Sequence, residues 1–475
     1  MKNLRALNTA GIILVFCAAT AMVAPAKTNF NVLTNLDGAT GDGPEYVSLV
    51  QGLDGNFYGT ASIGGANSQG TVFVVTPKGT LNVLYSFCAQ TNCTDGERPY
   101  AGLALAPNGN LYGTTYEGGA STNCPAGCGT VFEITPKGKL TTLYSFCLQT
   151  GCPDGAYPYG TLVLGANGNF YGTTGDISDF GPTGNGKVFE ITLGGKLTTL
   201  HSFGGTDGSY PYGTLVLAAN GNFYGTTTQG GSSSNCLGGC GTVFEITPGG
   251  KLTSLHSFVG TDGQYPYGGL VQATNGNFYG TTEEGGSNNV GTVFEITAKG
   301  KLTTPHNFAD DATDGGFSTS GPLQATNGNL YGMTAQGGGD TDGTVFEITP
   351  GGKPTLLHSF NGTHGNSPAG GLLQATNGTF YGLTASTVFS LSVGLKPFVE
   401  TLPASAKVGV SIIILGNKLT GATGVTFNGT AAPVFKVVSA TEIKVMVPTG
   451  ATSGTVEVTT PSGTLKSNVA FQVKP

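Results

Sequence analysis

The sequence has no segment with the 3.6-residue apolar period of an amphipathic helix, which excludes the helical fold classes. Beyond the N-terminus, no apolar run approaches the roughly 18 residues that a membrane-spanning helix needs. Basic residues are few, since 20 Lys and Arg stand against 27 Asp and Glu, for a formal net charge of −7. Nucleic acid is therefore excluded as a partner, because no basic patch would offset the repulsion of phosphate groups.

Motifs for catalysis are also missing. The five histidines form no cluster in the predicted loops. No Gly-x-Ser-x-Gly motif is tied to a partner base, and there is no phosphate-binding loop. These absences favour a protein that binds without catalysis and without a cofactor, with an extracellular polysaccharide lyase or hydrolase as the alternative.

What the chain has instead is one pair of phrases, repeated seven times at intervals of about 50 to 60 residues. The first reads Asn-Gly-Asn-Phe-Tyr-Gly in a common form, and the second reads Gly-Thr-Val-Phe. The tyrosines of the first phrase are Tyr58, Tyr112, Tyr171, Tyr224, Tyr279, Tyr331 and Tyr381. Units so small and so rich in glycine cannot bury a core alone, so they must stack on one another.

Each unit predicts four short strands, which in one case are residues 213–218, 222–227, 242–247 and 251–258. Seven such units favour an all-β fold, a closed seven-bladed β-propeller that protects the strand edges. Residues 30–36 resemble a fourth strand without the first three, whereas the last unit lacks a fourth. We expect this N-terminal strand to complete the seventh blade, although an alternative register, with the Thr-Val-Phe strand innermost, stays open.

The N-terminus has the pattern of a secretory signal peptide at residues 1–26. Lys2 and Arg5 flank an apolar run that ends in Ala24-Pro25-Ala26, the small residues of a cleavage site. We therefore expect a secreted or cell-surface monomer. Export favours disulfides over zinc for the cysteines beyond this segment, which form close pairs without accompanying histidines. The pairs are Cys88 with Cys93, Cys124 with Cys128, Cys147 with Cys152, and Cys236 with Cys240.

After the predicted propeller at residues 27–394 the repeat stops. Residues 395–475 alternate short apolar strands with Gly, Pro and Asn turns, as in an Ig-like β-sandwich. Their phrases at 409–417 and 424–429 resemble the IPT/TIG family, which implies an adhesion, spacer or accessory module on an exported protein. The repeats resemble the GloVer-type tandem repeats of exported bacterial proteins, through Gly-Asn-Phe-Tyr-Gly-Thr-Thr and Gly-Thr-Val-Phe-Glu-Ile-Thr-Pro. That resemblance implies no particular activity.

Charged and imidazole side chains recur at fixed repeat positions, where they indicate structure. Four histidines share a fourth-strand position with Tyr85 and Tyr144, which favours packing: His201, His256, His306 and His358. Five glutamates are each followed six residues later by a lysine, so we expect charge pairs across the hairpin. The glutamates are Glu133, Glu190, Glu245, Glu295 and Glu347, and the lysines are Lys139, Lys196, Lys251, Lys301 and Lys353.

An aspartate before glycine recurs in six units, where it suits the cap of a turn. These residues are Asp42, Asp95, Asp154, Asp207, Asp262 and Asp314. Calcium is the alternative interpretation, because carboxylates on a loop face suit a hard cation. No other metal site is predicted.

Pro-Tyr follows these aspartates in four consecutive units, at Tyr100, Tyr159, Tyr212 and Tyr267. They begin the innermost strand on the face of the long variable loops, where binding sites are expected. Because an aromatic ring offers apolar area and a hydroxyl offers a polar handle, these tyrosines with Asp207 and Asp262 are the predicted ligand contacts. Packing of the channel is the alternative. The sequence thus predicts a binding or adhesion protein for carbohydrate or another extracellular polymer, with a protein partner or a structural envelope role as further hypotheses.

Overall fold

The computed structural model describes residues 28–44, 46–175, 184–349, 352 and 354–474. Regular structure in these ranges is β-strand, apart from one 3-10 turn at Thr91–Cys93. The predicted signal peptide lies outside the described residues and stays a prediction. No helix in the described ranges is long and apolar enough to cross a membrane.

The repeats form seven four-stranded antiparallel sheets within the described residues, named blades 1 to 7 in chain order. Blade 1 has Val50–Gln51, Phe57–Ala61, Thr71–Val75 and Leu81–Ser86; blade 2 has Ala104–Leu105, Leu111–Thr115, Thr130–Ile134 and Leu140–Ser145. Blade 3 has Val163–Leu164, Phe170–Thr174, Lys187–Ile191 and Leu197–Ser202; blade 4 has Val216–Leu217, Phe223–Thr227, Thr242–Ile246 and Leu252–Ser257. Blade 5 has Val271–Gln272, Phe278–Thr282, Thr292–Ile296 and Leu302–Asn307; blade 6 has Leu323–Gln324, Leu330–Thr334, Thr344–Ile348 and Pro354–Ser359. Blade 6 also carries a small ladder of Gly315–Gly316 with Gln336–Gly337.

Blade 7 is built from both ends of the repeat region. Leu373–Gln374, Phe380–Leu383 and Thr387–Ser392 form its first three strands, and the N-terminal strand Asn29–Asn35 pairs antiparallel with the third. The propeller-type fold class is confirmed, and in this blade the N-terminal strand is the fourth and outermost. The alternative register, with the Thr-Val-Phe strand innermost, is not the one observed.

Contacts between neighbouring blades repeat around the molecule and close it into a ring. The tyrosine of the first phrase packs on the phenylalanine of the next blade, as in Tyr224 on Phe278 at a centroid distance of 4.0 Å. Tyr381 of blade 7 packs on Phe57 of blade 1 at the same distance. Gln51 of blade 1 also accepts a hydrogen bond from the Thr376 N–H of blade 7 at 2.9 Å. Blades 7 and 1 are therefore neighbours in the same sense as blades 4 and 5.

The glutamates of the third strand bind a tyrosine and an asparagine, rather than a lysine. The hairpin register places Glu245 opposite Tyr224 on one neighbouring strand and Thr253 on the other. Lys251 is therefore not the cross-strand partner of Glu245. Glu245 accepts hydrogen bonds from Tyr224 Oη at 2.8 Å and from Asn222 Nδ2 at 2.7 Å. Among the described glutamates and lysines the predicted charge pairs are absent, so that prediction is wrong; Lys353 lies outside the described residues. In blade 1, where Val74 replaces the glutamate, Asp54 accepts the same two kinds of hydrogen bond.

Replacing Glu245 with alanine should lower the free energy of unfolding by about 1–3 kcal/mol, because the hydroxyl of the buried Tyr224 loses its acceptor. Chemical denaturation measures this loss. Lys251→Ala is the matched control and should change the stability by less than about 0.5 kcal/mol. Equal losses in the two variants would restore the charge-pair interpretation.

The C-terminal segment is a separate β-sandwich. One sheet has Glu400–Leu402, Ser411–Leu415, Glu442–Met446 and Phe435–Val437; the other has Thr430–Ala431, Gly424–Phe427, Val456–Thr460 and Gly463–Lys466. Ser405–Lys407 and Gln472–Lys474 form a parallel pair beside them. Buried Ile, Val, Leu and Phe side chains fill the space between the sheets, among them Ile414, Val458 and Phe471.

This sandwich contacts the tight Asn-Gly-type turns of the propeller. Thr441 Oγ1 donates to the Leu53 carbonyl at 2.6 Å, and the Phe398 N–H donates to the Thr376 carbonyl at 3.0 Å. Both acceptors flank the hairpins between first and second strands, which end on one face of the propeller. The long variable loops therefore lie on the opposite face, away from these contacts.

Candidate functional site: a tyrosine cluster at the central cavity

In blades 1 and 3 to 7, the start of the innermost strand faces a central cavity of about 240 Å³. Tyr46, Tyr159, Tyr212 and Tyr267 line one side of it. Glycine, serine, threonine and leucine of blades 6 and 7 line the other, including Thr319. The cavity is therefore aromatic on one side and small and polar on the other.

The lining tyrosines occupy one repeat position, eight residues before the first residue of the Asn-Gly-type turn. Tyr100 of blade 2 shares it, whereas blades 6 and 7 carry Thr319 and Ala369 there. The sequence analysis missed Tyr46, because it follows Pro-Glu and lacks the Pro-Tyr signal. The constant offset from the turn, which Tyr46 keeps relative to Asp54, would have identified it.

The five residues Tyr46, Tyr100, Tyr159, Tyr212 and Tyr267, called the tyrosine cluster below, contact one another across the ring. Tyr159 and Tyr212 lie 4.4 Å apart between centroids, and Tyr212 and Tyr267 lie 6.0 Å apart with nearly parallel planes. Tyr46 reaches across from blade 1 to Tyr159 at 5.3 Å and Tyr267 at 6.1 Å. Tyr100 stacks on Tyr159 at 5.6 Å but does not line the cavity. Three of the four predicted tyrosines thus reach it, together with Tyr46.

The residue two positions before the cluster position holds a left-handed backbone in blades 2 to 7. Tyr157, Tyr210 and Tyr265 have φ values of 58°, 56° and 56°. Such values cost an L-residue free energy that glycine would avoid, and this chain has 81 glycines. The retention of aromatic side chains at these strained positions indicates that the rings themselves contribute to this face.

The variable loops hold those strained residues in place. The Tyr157 N–H donates to the Cys128 carbonyl at 2.9 Å, and the Tyr265 N–H donates to the Cys240 carbonyl at 3.1 Å. Both acceptors belong to disulfides, and all four predicted pairs are bonded in the structure. The disulfide loops therefore support the backbone that carries the tyrosine cluster.

Breaking the Cys236–Cys240 disulfide by the double variant Cys236→Ser/Cys240→Ser should loosen Tyr265 and Tyr267 more than the whole fold. A loop closed by four residues constrains the unfolded chain weakly, so we expect a stability loss near the low end of the usual ~2–4 kcal/mol. Hydrogen exchange should show faster exchange of the Tyr265 amide, with blade 1 amides unchanged as the internal control. Uniformly faster exchange in every blade would contradict a local role.

Carboxylates stand next to the tyrosines. Glu283 occupies the repeat position of Tyr116, whose ring lies 5.2 Å from Tyr100 and 6.0 Å from Tyr159. Burial, and after it the charge of Glu284, raise the pKa of Glu283 to about 7. Burial, followed by the charge of Glu283, raises the pKa of Tyr267 to about 12. A carboxyl group that titrates near neutral pH beside an aromatic cavity is a functional-site signal.

A second acidic group lies on blade 2. Burial, and then the charge of Glu117, raise the pKa of Glu97, while burial raises the pKa of Glu117. Arg98 Nε lies 3.2 Å from Glu117 Oε2 and compensates part of this charge. Sequence reasoning missed Glu283, Glu97 and Glu117, because glutamate occurs at these repeat positions in only one or two of the seven units.

The predicted contacts Asp207 and Asp262 lie beside the outermost strand and bind its histidines. Asp207 Oδ2 lies 2.8 Å from His201 Nε2, and its Oδ1 accepts from the Gly204 N–H at 2.7 Å. Asp262 makes the same contacts with His256 and the Val259 N–H. Burial acts to raise the pKa of Asp262, but these hydrogen bonds outweigh it and lower the pKa. Both oxygens of each carboxylate therefore already contact the histidine or a backbone N–H of the loop. A role of Asp207 and Asp262 as ligand contacts stays a prediction.

Blade 7 lacks this histidine–aspartate pair, because His364 replaces the aspartate beside His358. His358 Nε2 is buried without a hydrogen-bond partner among the described residues. Burial, and then His364, lower the pKa of His358 to about 4. The unfolded chain binds this proton below about pH 6.5, so stability should fall as the pH decreases from 6.5 towards 4.

The variant His364→Asp should restore the pair and stabilise the protein by about 1–3 kcal/mol, because it supplies an acceptor to a buried donor. Denaturation at pH 6 measures the gain. His364→Ala is the control and should give no gain, since it adds no acceptor. Equal stabilisation by alanine would show that removal of the second imidazole, and not the hydrogen bond, is responsible.

Among the described residues, two groups of three side chains have ligand atoms that converge as a metal site requires. They are Cys124, Cys128 and Cys147, and Cys88, Cys93 and Glu97. Their cysteines are disulfide-bonded, so their sulfurs are not thiolate ligands for a metal. Calcium at the aspartate loops stays a prediction.

Two family models match the chain. The Gloeobacter/Verrucomicrobia repeat matches residues 19–237 and 178–390, and the IPT/TIG domain matches residues 398–473. No curated protein matches. Among solved structures, the extracellular domain of a protein described as a hybrid two-component system from Bacteroides thetaiotaomicron is similar, with a TM-score of 0.49 and 11% identity over 95% of this chain and 60% of that one. A gluconolactonase from Xanthomonas campestris has a TM-score of 0.37 and 13% identity over 61% of this chain and 91% of that one.

Proposed function

We propose that this chain, which belongs to the Gloeobacter/Verrucomicrobia repeat family and carries an IPT/TIG domain, is a secreted, non-catalytic binding protein for an extracellular polymer, with carbohydrate as the first ligand class. The mature protein would begin at residue 27, with a propeller at 27–394 and an Ig-like domain at 395–475. The observation that carries the proposal is the tyrosine cluster, four of whose five members line one side of an open cavity on the variable face.

The chemistry of this cavity suits a sugar. Tyrosine rings offer flat apolar area to the C–H face of a pyranose, and their hydroxyls exchange hydrogen bonds with its hydroxyls. The side chains of Thr319 and Ser320 in blade 6 can add polar contacts opposite. A volume of about 240 Å³ lies below the roughly 300–1,000 Å³ of small-molecule sites, so the cavity suits one terminal or protruding unit of a polymer.

The position of the Ig-like domain, on the face opposite the cavity, supports the same function. Its contacts with the tight turns leave the variable face open to a large ligand. We propose that it acts as a spacer or attachment module and takes no part in the tyrosine cavity.

An extracellular lyase or hydrolase is the second candidate, and one observation favours it. Glu283 has a pKa of about 7, which suits a general acid or base. Glycoside hydrolysis usually needs a second carboxylate across the scissile bond. We place the binding function first because the carboxylates on blade 2 belong to a different part of the ring.

A binding array of glycans and polysaccharides tests the proposal on residues 27–475, run with calcium and again with chelator. Saturable binding without products supports the binding function, whereas released oligosaccharide supports the enzyme. Loss of binding on chelation would add calcium to the site. No binding in either condition would reject the carbohydrate ligand and favour a protein partner or a structural role.

A further inference from the structure

We infer that the tyrosine cavity selects a positively charged sugar, and that its ligand is a polymer of amino sugars with free amines, such as a β-1,4-linked glucosamine chain. The inference rests on the proposed function, since it names the ligand class of the same cavity. It follows from where the tyrosine cluster ends, from which charges surround it, and from where the cations of the chain lie.

Glu283 stands where the tyrosine cluster ends. Proceeding from blade 1 to blade 5, each cluster position is a tyrosine, and the next position, in blade 6, is Thr319, which lines the cavity. The repeat position of Glu283 is occupied by Gly175 in blade 3. A Cβ on Gly175 would lie 2.9 Å from Tyr212 Cε1, so this position packs against the cluster residue of the following blade. By the same repeat geometry, Glu283 lies between Tyr267 and Thr319. Glu283 itself does not line the cavity, so its carboxylate stands next to the cavity, beside the lining residues Tyr267 and Thr319.

The groups that surround Glu283 do not neutralise it. Glu284 is its sequence neighbour, and Glu284 accepts a hydrogen bond from Gln264 Nε2 at 2.6 Å. The Glu283 N–H donates to the Tyr265 carbonyl at 3.1 Å, which fixes the backbone next to Tyr267. No ion pair of Glu283 with a described lysine or arginine occurs within 4.0 Å. The raised pKa of Glu283 has the same cause, since burial and Glu284 both disfavour its charged form.

Cations are concentrated on the opposite face. Lysines such as Lys137, Lys139 and Lys251 lie at the tight turns between third and fourth strands, and others lie in the Ig-like domain. On the variable face, within the described residues, the cations are Arg98, which pairs with Glu117, and Lys187 at the start of a blade 3 strand. The cavity thus opens on the acidic face of an acidic protein. Such a field repels uronic-acid and sulfated polymers and attracts an ammonium group.

A free amine can interact with both the tyrosine rings and the Glu283 carboxylate. An ammonium group within about 6 Å of a tyrosine face gains roughly 0.5–2 kcal/mol from the ring quadrupole. Its N–H groups can also donate charge-assisted hydrogen bonds to a carboxylate. N-acetylation would remove both gains and leave the stacking of the sugar ring. A neutral or acetylated chain should therefore bind more weakly than the free amine.

Three hexasaccharides with the same β-1,4 backbone test the inference by isothermal titration calorimetry: glucosamine, N-acetylglucosamine and glucose. We expect the glucosamine hexamer to bind at least ~10-fold more tightly than the other two, with an affinity that falls as salt rises. Glu283→Gln should remove most of that preference. Glu457→Gln in the Ig-like domain is the matched control and should keep it.

A trimethylated glucosamine oligomer separates the titration of the protein from that of the ligand, because its charge is permanent. Its affinity should rise as the pH increases through about 7, where Glu283 ionises, and Glu283→Gln should flatten that profile. A flat profile with the unaltered protein would overturn the role of Glu283.

The outcomes separate the inference from the proposed function. Equal affinity for the three hexamers would overturn the charge selection and leave a sugar-binding cavity. No binding of any hexamer, together with an empty glycan array, would reject the proposed function itself. Binding of oligolysine without binding of the glucosamine hexamer would also overturn the inference, in favour of a basic peptide ligand.

Discussion

Deletion of residues 28–35 is expected to abolish cooperative folding of the propeller, although these residues precede the first blade. The deletion removes the strand Asn29–Asn35, which pairs with Thr387–Ser392 through six aligned residue pairs. The exposed strand would read Thr-Val-Phe-Ser-Leu-Ser, an uncharged apolar edge of the kind that templates aggregation. The loss extends beyond one strand, because a ring without its closure also loses contacts between blades 7 and 1.

Phe30 supplies much of the side-chain contact of this closure. Its ring stacks on His358 with centroids 3.6 Å apart and lies 5.3 Å from Phe389 of the neighbouring strand. Phe30→Ala should therefore lower the free energy of unfolding by about 3 kcal/mol, near the low end for such truncations because the ring is only half-buried.

Thermal denaturation and size-exclusion chromatography measure both variants. We expect aggregation or no cooperative transition for the deletion, and a lower melting temperature for Phe30→Ala. The exposed Asn31→Ala on the same strand is the control and should melt like the parent protein. A deletion variant that melts at the parent temperature as a monomer would show that the N-terminal strand does not close the ring.

The double variant Tyr212→Ala/Tyr267→Ala is expected to lower ligand affinity at least ~100-fold, if each ring contributes the roughly 2 kcal/mol typical of a central aromatic contact. The two rings stack at 6.0 Å and both line the cavity, so their removal opens its aromatic side. Both are half-buried at the start of innermost strands, outside the buried tyrosine–phenylalanine contacts between blades. The fold should therefore persist.

Tyr212→Phe/Tyr267→Phe is the matched control, because it keeps the rings and removes only the hydroxyls. We expect it to retain most of the affinity if stacking dominates. Titration with the best ligand from the glycan array, with melting temperatures measured in parallel, separates lost binding from lost folding. Unchanged affinity in the alanine variant with a normal melting temperature would place the ligand elsewhere.

The sequence was informative wherever one residue type recurs at one repeat position. The seven-fold phrase predicted the four-stranded units, the close cysteine pairs predicted the disulfides, and Tyr159, Tyr212 and Tyr267 were singled out in advance. Errors arose where the partner of a side chain depends on hairpin register. Glu245 was expected to pair with Lys251, but the pleat places it opposite Tyr224. Tyr46 was missed because its local phrase differs, although its spacing to the turn is the same.

The sequence by itself determined the strand order, the local disulfides and the repeat positions, because these depend on turns and alternation within about 50 residues. The tertiary structure decided three further features that depend on residues far apart in the chain. Ring closure joins Phe30 to Phe389, and it brings Tyr46 of blade 1 against Tyr159 and Tyr267. Tertiary packing also buries Glu283, and this burial is the largest cause of its raised pKa. A repeat pattern records what each unit needs to fold, whereas a site at the axis is formed by residues that meet only when the ring closes.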